Sequence, residues 1–171
     1  PTMAESVRLL ALHAHPDDIE TLCAGTLALL SARGIQIICA TATAGEGGSD
    51  ITSPEETARI RMAEARNAAA LIGADYACAS LPDLGVFNDD RCRRAITEVI
   101  RWARADIVLA PSPADYHPDH EALSQLVRDA CFAASVPNYR TGESPALKAI
   151  PHLYFMDPIG GRDREGVRVN P

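Results

Sequence analysis

Val7-Arg8-Leu9-Leu10-Ala11-Leu12, then His13-Ala14-His15-Pro16-Asp17-Asp18, then a helical stretch from Thr21 to Arg33, Gly34, and a second apolar run from Gln36 to Ala40: this segment decides the fold. A short apolar run without polar alternation fits a strand buried on both faces, as parallel strands are. The stretch between the two runs has helical length and period, and Gly34 is placed to end it in the left-handed conformation. Together they read as one β-α-β unit.

The pattern repeats downstream. Tyr76 to Ser80, Ile107 to Ala110 and Leu153 to Met156 are further short strand-like runs bounded by turn or polar residues. Ser53-Pro54-Glu55-Glu56 marks a helix start: the serine caps, proline suits the first turn, and Glu56 completes a capping box, with the helix running to Ile72 and stopping at Gly73. Arg91 to Ala103 and Glu121 to Ala133 supply two more helices. Strands and helices alternating in this way predict an α/β fold, a Rossmann-like three-layer α/β/α arrangement with a mostly parallel sheet. The 171 residues suit one domain.

Composition narrows the function. With 47% hydrophobic and 23% charged residues the chain is neither disordered nor low in complexity. A net charge of −7, with arginines spread along the chain, argues against nucleic acid and anionic membranes as partners. No segment approaches a membrane span, and Met3 to Ala14 lacks a basic start and a cleavage site, so the expected location is cytoplasmic. Cys23, Cys39, Cys78, Cys92 and Cys131 stand singly, which argues against a disulfide framework or a thiolate zinc site and reads as buried small apolar residues.

Ligands of open parallel sheets bind beyond the carboxyl ends of the strands. The unusual residues fall there: His13 to Asp18 after the first strand and Asp115-Tyr116-His117-Pro118-Asp119-His120 after the fourth. All the histidines except His152 lie in these two stretches. Two histidines and a carboxylate meet the needs of a hydrolytic zinc with one open position, a further carboxylate can take a proton from water, and a further histidine can stabilise the opposing charge. Asp and Pro are ordinary turn residues, but two such clusters at corresponding strand ends point to a metal site more than to surface loops.

Ala14-His15-Pro16-Asp17-Asp18, continuing into Ile19-Glu20 and Ala24 to Ala28, with His117-Pro118-Asp119-His120 downstream, resembles the PIG-L family of LmbE-like N-acetylglucosaminyl deacetylases. Thr43 to Glu46, Arg61 to Glu64, Leu71 to Gly73 and Leu81 to Asp83 agree with it. The resemblance implies one Zn2+ per chain held by His15, Asp18 and His120. It further implies Asp17 as general base, His117 as stabiliser of the oxyanion or donor to the leaving amine, Asp119 as the residue orienting His117, and Glu46, Arg61 and Asp83 as lining for a sugar pocket. The substrate expected is a small N-acetylated sugar or glycoconjugate, and a homo-oligomer is compatible with the family.

Two other readings stay open. His13 makes the first cluster HxHxDD, similar to the HxHxDH of binuclear metallohydrolases, although Asp18 stands where that motif has histidine; two bound metals instead of one would mark that class. The family resemblance implies further chain beyond the strand ending at Met156, whereas Gly160 to Pro171 reads as a loop, so the domain is expected to lack the family's C-terminal portion, as a truncated or a natural short form, and a metal-binding module without turnover is a further alternative.

Overall fold

The computed structural model describes residues 6–159; the stretch 160–171, read above as a loop, lies outside them. Five strands, β1 (Arg8–His13), β2 (Gln36–Thr43), β3 (Asp75–Leu81), β4 (Ile107–Ala110) and β5 (His152–Phe155), form one sheet in the order β3-β2-β1-β4-β5. Every pairing is parallel. β1 is the central strand, and the chain leaves it to β2 on one side and returns to β4 on the other. That reversal opens a crevice at its carboxyl end.

Side-chain alternation sorts the core into two layers. Leu9, Ala11, Ile37 and Cys39 pack towards Ile19, Leu27 and Ala69, from helices α1 (Asp18–Leu22), α2 (Ala24–Ser31) and α3 (Pro54–Leu71). Leu10, Leu12, Ile38 and Ala40 pack on the opposite side against Ile96, Ile100, Leu123 and Leu126 of α4 (Asp90–Ala103) and α5 (Pro118–Ala134). The sheet is therefore covered from both faces, as expected. Four of the cysteines are buried and all five are free. Among the described residues, no helix is long and apolar enough to cross a membrane.

Helix ends follow local chemistry. Ser53 accepts the Glu56 N–H at 3.2 Å and Asp89 accepts the Cys92 N–H at 2.8 Å, so both cap as oxygen-bearing residues do. Glu56 departs from the expected capping box: its carboxylate holds Arg59 at 2.6 and 2.9 Å instead of turning back. After α2 and α3 the chain closes with paired 5→2 and 6→1 bonds, Gly34 N–H to Ser31 and Ile35 N–H to Leu30, then Gly73 N–H to Ala70 and Ala74 N–H to Ala69. The first helix is split, because Cys23 leaves helical geometry (φ −144°, ψ 4°) and ends α1 while opening α2. Nothing in the side chain of cysteine announces such a break.

α5 carries the second cluster at its start and is pinned at its end. Arg101 of α4, 3% exposed, donates to the carbonyls of Ala133, Ala134 and Val136 at 2.8 to 3.1 Å, and to Thr141 Oγ1 at 3.2 Å. A buried cation thus complements the carbonyl end of the helix, where Ala133 also accepts the Val136 N–H and Ala134 the Leu147 N–H. Tyr139 and its neighbours pack against Asp90 and Glu98 of α4 and form a surface loop there. Replacing Arg101 with Met removes the side-chain donor from the Val136 carbonyl and leaves Ala133 and Ala134 with their main-chain donors Val136 and Leu147, and urea denaturation should show a loss of about 1–3 kcal/mol.

Candidate metal and catalytic site

The two clusters meet. The β1 strand delivers His13 and His15 to the crevice, and the chain then turns sharply at Asp17, whose φ of 99° is left-handed and strained for a residue with a Cβ. That turn lets Asp18, the first residue of α1, fold its carboxylate back so that Oδ2 accepts the His15 main-chain N–H at 2.8 Å. On the other side of the crevice, Pro118 takes the first helical position of α5 and His117 caps it. His120 follows one turn in, 3% exposed.

His15 Nδ1, Asp18 Oδ2 and His120 Nε2 stand 3.3 to 3.4 Å from one another. Three ligand atoms of a tetrahedral ion held at about 2.0–2.1 Å are separated by roughly this distance. Carboxylates also stand behind both imidazoles: Asp83 Oδ1 and Asp119 Oδ2 lie 3.1 and 3.3 Å from His15 Nε2, and Asp115 Oδ2 lies 3.1 Å from His120 Nδ1, at ion-pair distance but without hydrogen-bond alignment. Carboxylates behind histidines are the usual support of metal-ligating imidazoles, since they fix ring orientation and raise basicity. The donor set, its spacing and its surplus of carboxylates fit a divalent cation. Other combinations also come within 4.8 Å, namely His15 with His117 and His120, His13 with Asp18 and His120, and His15 with Asp83 and Asp119.

The electrostatics are those of histidines gathered around buried anions. Burial alone would raise the Asp18 pKa, but contacts from His120, His13 and His15 outweigh it and hold the group well below the usual carboxylate range. Burial works to lower the pKa of His15 and His120 too, yet Asp18 with Asp83 and Asp119 in one case, and Asp18 with Asp115 in the other, leave both raised. The protons these rings attract are the ones a cation displaces. His117 behaves differently: partial burial and then the charges of His15 and His120 lower its pKa.

His117 accepts the Asp119 main-chain N–H through Nδ1 at 3.2 Å. In the neutral ring the proton therefore sits on Nε2. Asp119 thus meets His117 through its main-chain N–H and not through its carboxylate. The carboxylate faces His15 and accepts the main-chain N–H groups of Leu84 at 2.8 Å and Val86 at 3.4 Å, because it lies on the side of α5 turned to the loop after β3. Asp115, part of the second cluster but without a role in the sequence reading, accepts the His117 N–H at 3.1 Å through Oδ1 and so serves both histidines.

The residues expected to line a sugar pocket form the rim. Arg61 of α3 donates to Pro16 O, to Gly45 O at 3.0 Å and to Asp17 Oδ2 at 2.9 Å, joining the turns after β1 and β2. Glu46 accepts the Asp83 N–H at 2.8 Å, and Asp83 Oδ2 accepts the Gly47 N–H at 2.9 Å, joining the turns after β2 and β3. A bulge aims that last turn: the β2–β3 register shifts between Thr41 and Thr43, and Ser80 has φ 54°. Gly45 is explained by space, since a Cβ there would meet Arg61 Nη1 at 2.1 Å, at a backbone φ of 67° that already disfavours side chains.

The family model described as GlcNAc-PI de-N-acetylase, PIG-L, matches residues 10–131. The chain belongs to the PIG-L family. Among relatives, the protein named uncharacterized deacetylase YaiS of Escherichia coli (strain K12) is 31% identical over 161 residues, 85% of this chain and 80% of that protein. A 1D-myo-inositol 2-acetamido-2-deoxy-alpha-D-glucopyranoside deacetylase of Nakamurella multipartita is 31% identical over 166 residues, 76% of this chain and 56% of its own length. The solved N,N'-diacetylchitobiose deacetylase of Pyrococcus horikoshii shares the fold, with a TM-score of 0.80 at 24% identity over 92% of this chain and 62% of that one. Against the last two, this PIG-L chain spans a little over half of the other protein's length.

Gly45→Ala should lower stability by about 1–2 kcal/mol through the backbone term and the displaced guanidinium. In a Gly45→Ala/Arg61→Ala double mutant the steric part disappears, so the two losses measured by denaturation should sum to more than the loss in the double mutant.

Proposed function

We propose that this chain is a zinc-dependent N-deacetylase that hydrolyses the acetamide of a small N-acetylglucosamine-containing molecule, releasing acetate and a free amine. The observation carrying this reading is the triangle of His15, Asp18 and His120, each imidazole braced by carboxylates, with the Nε2–H tautomer of His117 stacked beside it at a ring separation of 4.7 Å from His120. The names of the relatives support the substrate class: an acetamido sugar on inositol in one, diacetylchitobiose in another.

His15 Nδ1, Asp18 Oδ2 and His120 Nε2 would hold the ion. When bound, zinc supplies Lewis acidity and lowers the pKa of its water towards about 7. Asp17, with a side chain 71% exposed and steadied by Arg61, takes the proton of the attacking water. His117, carrying its proton on Nε2, donates a hydrogen bond to the charge that develops on the acetamide oxygen, and the proton taken up by Asp17 passes to the leaving nitrogen as the C–N bond breaks, giving acetate and a free amine. Because its Nδ1 is occupied by a main-chain N–H instead of a carboxylate, the ring is fixed as a donor towards the site. Glu46, Arg61 and Asp83 shape the rim met by the sugar. The all-parallel sheet differs from the sandwich core of the HxHxDH hydrolases, which leaves metal stoichiometry as the measure of the binuclear alternative.

Metal content and acetate release on a panel of N-acetylglucosaminides test the assignment. One zinc per chain is expected, with Asp17→Asn losing at least about 10²-fold in turnover while keeping its metal, and His120→Ala losing both. Full turnover by zinc-loaded Asp17→Asn would remove Asp17 from the role of base. Zinc without release in the wild type would favour a metal-binding module, and two metals per chain the binuclear hydrolase.

A further inference from the structure

Resting on the reading of Asp18 as a metal ligand, we propose that His13 is a positioning residue which clamps the Asp18 carboxylate in its metal-binding orientation and is not itself a ligand. His13 ends β1 with its side chain 1% exposed. Its Nδ1 lies 2.6 Å from Asp18 Oδ2, the same oxygen that faces His15 Nδ1 and His120 Nε2. Two lone pairs do not approach this closely, so a proton lies between them and the imidazole donates to the carboxylate. The Ala14 N–H stands 2.9 Å from the same nitrogen, but an Nδ1 that carries the proton for Asp18 has no lone pair with which to accept it, and the 2.6 Å contact to the carboxylate is the one that sets the tautomer. The ring also stands edge-on to His120, with centroids 4.5 Å apart and planes at 89°. One buried side chain thereby sets the position of two of the three candidate ligands.

The other end of the ring points the same way. His13 Nε2 is buried with no hydrogen-bond partner among the described residues. An orphaned buried polar atom costs about 1–3 kcal/mol, and an apolar side chain of similar size avoids that cost. Packing alone therefore does not account for an imidazole here, whereas the short contact to Asp18 does. Asp18 Oδ2 keeps a second donor, the His15 main-chain N–H at 2.8 Å, and with only that one the carboxylate is free to pivot.

Asparagine and glutamine separate the two ring nitrogens: Asn at position 13 places an amide N–H where Nδ1 lies, and Gln places one where Nε2 lies. Zinc affinity is measured by competition with a chromophoric chelator for the full chain, the wild type, His13→Asn, His13→Gln, His13→Leu and His120→Ala. The expected result is an affinity within about threefold of wild type for Asn and about 10–100-fold weaker for Gln and Leu, the range seen when the outer partner of a metal ligand is lost. Thermal unfolding of the metal-free proteins should show Leu less stable than Asn, because the buried Asp18 carboxylate loses a donor. Wild-type affinity in the Gln variant would overturn the proposal, and so would an equal loss in Asn and Gln, which would make His13 a direct ligand. The Asn and Gln pair decides the question even if the Leu variant does not fold. If His120→Ala binds zinc as tightly as the wild type, the metal-site reading itself fails and takes this one with it.

Discussion

Asp18 Oδ2 is the atom on which the site depends. It is a carboxylate oxygen on a side chain only 9% exposed, and burying such a charge is costly unless donors surround it. His13, His15 and His120 come from two segments more than a hundred residues apart in sequence, and they converge on that oxygen because β1 and β4 are adjacent in the sheet. The strain at Asp17, the early start of α5 and the carboxylates behind His15 and His120 all serve the same convergence. Remove the anion and the imidazoles lose the reason for their spacing.

Much of this arrangement is legible in the amino-acid sequence. Short unbroken apolar runs such as Leu9 to Leu12 mark strands buried on both faces, and the α/β arrangement follows from their alternation with helical stretches. The two clusters can be placed at one edge because connections in such sheets put every strand's carboxyl end on the same side. Local chemistry also speaks plainly at Ser53, where capping and a proline at the first helical position are decided by neighbouring residues alone, whereas α5 begins at Pro118, three residues before the Glu121 expected from the sequence.

What is not legible depends on contacts distant in sequence or on backbone detail. The break at Cys23 carries no side-chain signature. Proximity along the chain pairs Asp119 with His117, yet three-dimensional packing turns its carboxylate to His15, more than a hundred positions earlier. Asp115 shows no sign of bracing His120, because an aspartate opening a helix-entry turn has an ordinary reading as a turn residue. Glu46, Arg61 and Asp83 stand beside the crevice, but nothing in their sequence neighbourhoods reveals that their polar groups join three loops to one another.

The latch of Arg61 over Gly45 divides the rim into parts that tolerate change differently. Hydrogen is the only substituent at position 45 that leaves the guanidinium in place, so a side chain there is taken at the expense of the latch. Leu84 and Tyr116, 66% and 71% exposed beside the same crevice, meet milder limits, a left-handed backbone at Leu84 (φ 57°) and edge-on contacts of the Tyr116 ring with His117 and His120. A library that randomises the glycine would chiefly collect unlatched loops.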